Sequence, residues 1–159
     1  MPGKLKSEIA QTRPFASLEQ EAFLNVLRSA QFLADGLAEL LKPHGISPTQ
    51  YNVLRILRGA GAEGLACREV GCRMVTRDPD ITRLLDRLEK QGLIKRGREK
   101  EDRRVVRTTI TPAGLKILES LDEPVLVMHR KQFENVAPAK LKQLIDLLEE
   151  TRQEECEES

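Results

Sequence analysis

With 159 residues and 40% hydrophobic side chains, the chain is long enough for one compact core and too apolar to be wholly disordered. No apolar run approaches the ~20 residues that span a bilayer, so no membrane partner is expected. Twenty-six Lys and Arg against 25 Asp and Glu leave a net charge of +1, which alone selects no partner class.

The distribution of charge says more than its sum. Between Ala66 and Thr111, 13 basic residues stand against 8 acidic ones, a local +5, so positive charge is concentrated in the middle third. A surface facing phosphates has this character, and so does an unevenly charged solvated surface. The first residues, MPGKLKSEIAQTRPF, are charged and lack an apolar signal core, which predicts a cytoplasmic address. Cys67, Cys72 and Cys156, with His44 and His129, match no zinc or CxxC spacing. Reduced thiols are expected, with no metal and no cofactor.

Leu18 to Lys42 carries leucines and other apolar residues at helical spacing, among them Phe23, Val26, Leu33 and Leu37. Core packing is the expected role of Phe23. Lys42-Pro43-His44-Gly45 ends that helix, because proline cannot continue it and glycine tolerates a left-handed exit. Ser47-Pro48-Thr49-Gln50 then reads as a capping box with proline at the first helical position. The helix it opens turns Tyr51, Leu54 and Leu57 inward and stops in the glycine-rich loop 59–64.

A short helix fits Cys67 to Met74, with Val70 and Met74 inward and Cys72 toward the core. After a turn at Val75-Thr76-Arg77, Asp78-Pro79 predicts a cap and first position for a helix reaching Gln91 and halted by Gly92. Ile81, Leu84, Leu85 and Leu88 form its apolar back; Asp80, Thr82, Arg83, Asp86 and Arg87 form its polar front, with Arg87 expected to pair with an acidic side chain. Two strands follow, Leu93–Arg98 and Val105–Ile110, around a tip at 99–104 too charged to be buried. Thr111-Pro112 opens another helix, which Pro124 is expected to kink or split, and Pro138 opens the last one. The Glu-rich end from Glu154 is expected to fray.

The order is mainly α with one small β-hairpin: two short helices joined by a tight turn, then a hairpin tipped with arginines. That describes a winged helix-turn-helix lobe within a helical frame. A helix with an apolar back and an arginine-bearing front fits the major groove, and a basic hairpin suits the minor groove beside it. On the helix, Arg77, Thr82 and Arg83 are the candidate DNA contacts. Asp80 either accepts from a cytosine amino group or favours the helix N-terminus electrostatically. Arg103 and Arg107 suit phosphates, which supply affinity without sequence choice.

The stretch from Asp80 to Ile94, DITRLLDRLEKQGLI, resembles the recognition-helix signature of the MarR (multiple antibiotic resistance regulator) family. Asp102-Arg103-Arg104, followed by Ile110-Thr111-Pro112-Ala113-Gly114, is similar to that family's wing and exit. The resemblance implies that Arg104 is the wing arginine entering the minor groove and that Asp102 braces it; a plain surface ion pair is the alternative. It also implies one domain over 1–159, with 47–111 as the DNA-binding lobe and 18–42 and 112–153 as dimerisation helices. An intramolecular bundle would use the same leucines. A two-fold dimer calls for a near-palindromic duplex with half-sites ~34–36 Å apart. Such regulators, often repressors, are released by small aromatic ligands or by oxidants. Cys67, near a helix start, is the thiol placed to feel an oxidant, although structural or incidental thiols explain both cysteines better. No enzyme motif is present; the alternative is a winged-helix module that binds protein and not DNA.

Overall fold

The computed structural model describes residues 3–152, so the expectations for Cys156 and the Glu-rich end lie outside the described residues. Among the described residues, seven α-helices and three short strands follow one another. A single turn, α1 (Leu5–Glu8), precedes α2 (Leu18–Leu41), whose cap Ser17 accepts from the amide of Gln20 at 3.1 Å. The 3-10 turn Lys42–His44 closes α2, and Gly45 takes the left-handed exit as expected. The capping box forms as read: Ser47 Oγ accepts from the Gln50 amide, and Gln50 Oε1 accepts from the Ser47 amide at 3.0 Å, opening α3 (Pro48–Ala60).

Beyond the loop, β1 (Leu65–Ala66) leads into α4 (Cys67–Arg73) and then α5 (Ile81–Lys90). Strands β2 (Ile94–Arg98) and β3 (Val106–Ile110) form the expected hairpin, with Ile94 opposite Ile110 and Gly97 opposite Arg107. The sheet has three strands in the order β1-β3-β2, because Leu65 and Ala66 pair with Thr108 and Arg107. The extra strand escaped the sequence reading because two residues carry no alternation to detect. Its approach needs Gly64, where a Cβ would lie 2.4 Å from the Thr108 carbonyl.

The cap of α5 and the course of α6 differ from the sequence pattern. Asp80, not Asp78, caps α5: its carboxylate accepts from the Arg83 amide at 3.1 Å, while Asp78 accepts from the Asp80 amide at 2.8 Å. The cap and proline lie one short loop ahead of the helix. Pro124 does not split its helix, since α6 runs unbroken from Pro112 to Gln132 before α7 (Pro138–Glu150).

One core joins the helices. Val53, Leu54 and Leu57 of α3 meet Leu85 and Leu88 of α5 and Leu118 and Leu121 of α6, with Val70, Leu41 and Ile94. Gly114 lets α6 lie on the hairpin root, where a Cβ would come 2.4 Å from the Leu93 carbonyl. Gly114→Ala is thus expected to destabilise the fold by about 1–3 kcal/mol through overpacking, although glycine in a helix interior usually gains from that change. Chemical denaturation measures it, and a gain in stability would contradict the packing described.

Candidate nucleic-acid interface

The interface is built on α5. Leu84, Leu85 and Leu88 are buried, which turns Thr82 and Arg83 to solvent on the opposite side. Arg77 and Asp80 are exposed ahead of them. Asp80 serves the helix N-terminus, the second of its two expected uses. Thr82 Oγ1 lies 4.0 Å from the partly buried Cys67 Sγ, whereas Cys72 is exposed and does not face the core as expected.

The wing tip is a tight reversal in which the Val105 amide donates to the Asp102 carbonyl at 3.0 Å. The Asp102 carboxylate accepts from the backbone amide of Arg104 at 2.9 Å. It therefore braces the backbone that carries Arg104 and leaves the guanidinium to solvent. Asp102, Arg103 and Arg104 are all exposed. Arg107 is different. Its Nε donates to Glu99 at 3.2 Å and its Nη1 lies 3.6 Å from Glu69, at the wing root between β3 and α4. A phosphate contact by Arg107, as expected from the sequence, would have to displace these partners.

The arrangement depends on residues the sequence reading passed over. Arg96 of β2 reaches back to α5, placing Nη2 2.5 Å from Asp86 and 2.6 Å from Glu89, with Nε 3.0 Å from Glu89. Its own amide donates to Glu89 Oε1 at 3.0 Å. Asp86 and Glu89 are three residues apart on one helix face, a spacing that signals a shared cation. Arg87, expected to make such a pair, makes none with a described residue; Arg96 takes that place.

Gln91, at the end of α5, accepts from Gln50 Nε2 and donates to the Gly45 carbonyl, both at 3.0 Å. Thr111 Oγ1 donates to the Gly92 carbonyl at 2.7 Å. Below the lobe, Arg58 and Asp122 form a two-pronged pair at 2.9 Å between α3 and α6; each stabilises the other's charged form, lowering the Asp122 pKa and raising that of Arg58. A cleft of about 330 Å³ opens between the starts of α3 and α5, lined by Ser47, Thr49, Asp78, Asp80, Arg83 and Arg87.

These parts define a winged helix-turn-helix with an arginine-tipped wing. A family model described as MarR family matches residues 46–106. A MarR transcription factor from Planctomyces limnophilus is 42% identical in a structural match covering 86% of this chain and 98% of that one, with a TM-score of 0.66. A mutant of MarR from E. coli, solved in complex with operator DNA, is 25% identical in a match covering 87% of this chain and 100% of that one, with a TM-score of 0.77. The transcriptional regulator YpoP of Bacillus subtilis is 33% identical over 102 residues, 64% of this chain and 71% of that protein. The chain belongs to the MarR family of transcriptional regulators, whose members are not enzymes.

The Arg96 hydrogen bonds, from side chain and then backbone, hold the Glu89 carboxyl below its ordinary value of 4.5. A carboxylate lowered in the folded chain contributes stability that is complete above 4.5 and is lost as pH falls through the lowered value. Glu89→Gln is expected to lower the thermal midpoint slightly at pH 7, because the pair is open to water, with the difference from the parent shrinking as pH drops below 4.5. A difference constant across that range would show that the clasp does not act through charge.

Proposed function

We propose that the chain binds duplex DNA as a homodimer, as a repressor on a near-palindromic operator. The observation that carries this reading is the pairing of two exposed features on one lobe. The polar front of α5, with Thr82 and Arg83, suits the major groove, and Arg77 and the cap Asp80 stand exposed just ahead of it. The tip with Asp102, Arg103 and Arg104 suits the minor groove beside it. Arg104 enters that groove, Asp102 fixes its backbone, and Arg103 meets phosphate. Arg107 steadies the wing root and reaches phosphate only by exchanging its carboxylate partners. Residues 47–111 form the DNA-binding lobe in this reading.

Dimerisation falls to 18–42 and 112–153, which leave large apolar side chains in water. Leu18 is 79% exposed, Phe32 68% and Phe23 61%, with Leu126 and Val127 of α6 and Ile145 and Leu147 of α7 also exposed. Phe23, expected in the core, joins this surface instead. A bundle within one chain would have covered these residues, whereas a second copy buries them. A small aromatic ligand is one expected signal, although the cleft between α3 and α5 sets Asp78 and Asp80 beside Arg83 and Arg87 and so carries no net charge to draw an acid. Such a ligand, or oxidation of Cys67 next to Thr82, would release the operator. No helix among the described residues is long and apolar enough to cross a membrane.

Two experiments test the reading. Titrating a duplex from the region flanking its own gene should give a two-fold footprint, with affinity falling steeply as salt rises. Arg104→Ala should weaken binding at least tenfold at matched salt and leave the fold intact; unchanged affinity would refute the wing assignment. Sedimentation should give a dimer, and Phe32→Glu should shift it toward monomer; a monomeric parent chain would contradict the proposal.

A further inference from the structure

Val75 is 89% exposed, more than any other large hydrophobic residue described, and it lies on none of the helices assigned to dimerisation. It stands in the turn between α4 and α5, two residues before Arg77. The turn is held at Val75 and just before it. Met74 is buried in the core, and the Val75 amide donates to Asn52 Oδ1 of α3 at 2.9 Å. An isopropyl group is thus presented to water from a backbone fixed on the folded lobe. Its neighbours Thr76, Arg77 and Asp78 are polar, so they extend no apolar patch for a protein partner to cover.

We propose that Val75 is a specificity-determining residue that packs against the C5-methyl group of a thymine in the major groove. The inference rests on the DNA-binding reading above. The thymine methyl is the apolar feature that the major-groove edge displays, and one apolar side chain within a polar, basic surface is its complement. Residues at and just ahead of a recognition helix meet base edges, and Val75 lies in the exposed turn that joins α4 to α5, five residues before the cap Asp80. Its β-branched side chain has little rotamer freedom to lose on contact, which favours reading by shape.

The test removes the methyl group alone. A duplex is selected from a random pool with the full chain, and each thymine is replaced in turn by deoxyuridine. The parent chain is expected to lose affinity about fourfold per half-site at one symmetry-related thymine, the factor that burying one methyl group carries. Val75→Ser should bind the thymine duplex about fourfold more weakly per half-site and no longer distinguish it from the uracil duplex, with an unchanged thermal midpoint. Val75→Ile should retain the discrimination. Equal affinity of the parent chain for every uracil duplex would overturn the proposal, as would a thymine-to-uracil ratio that Val75→Ser leaves unchanged. If the parent chain selects no sequence at all, DNA reading itself fails; if it selects one and the ratios do not move, only the role of Val75 fails.

Discussion

In the proposed reading of DNA the wing is useful only if it stands at a fixed angle to α5, and the shared guanidinium of Arg96 joins the two. One planar cation on β2 meets two carboxylates of α5, and its backbone amide joins the same glutamate. Arginine suits this place because its donors form a rigid fork, whereas a lysine ammonium would hold a distance but not an orientation. The groups are partly open to water, with a quarter of the Arg96 side chain exposed, so the pair adds little to global stability. Its contribution is geometric: it ties the hairpin to the helix.

Other contacts extend the same constraint to both ends of α5. At its start, Asn52 holds the turn at Val75 and Asp80 satisfies the first amides. At its end, Gln91 ties the helix to Gln50 and to the Gly45 carbonyl, where α2 gives way to α3. The leucine back sits in the core throughout. These links hold the helix from its ends and its inner side, and the face with Thr82 and Arg83 is turned to solvent. The link at Gly45 also joins the recognition helix to the end of the long helix proposed to dimerise. The separation of two recognition helices would then be set by the same packing that sets each wing.

Much of the architecture was legible because local chemistry and burial agreed. Ser47-Pro48-Thr49-Gln50 formed the box it spelled, and the leucines of α5 fell on one face as their spacing required. Where two residues could do the same job, the reading went astray. Asp78 and Asp80 both precede a helix, and only the turn geometry decides which one caps it. Pro124 removes one helix bond, but Leu121 and Val125 on either side are buried and keep the helix whole. Arg107 and Arg87 are alike in sequence, yet Glu69 and Glu99 take up the first, and the second has no ion-pair partner among the described residues. The Arg96 clasp joins residues ten and seven apart across a turn, a pairing that helical spacing on α5 alone does not display. Phe23 read as core because periodicity reports an apolar face without saying whether this chain or another copy covers it.

If the wing acts on DNA through its fixed relation to α5, a double-mutant cycle on operator affinity measures this most directly. Arg96→Gln is combined with Arg104→Ala, and four dissociation constants are taken at one salt concentration. If Arg96 works by aiming the wing, its substitution weakens binding in the parent chain and adds almost nothing once Arg104 is gone. Strictly additive effects of the two changes would contradict the account.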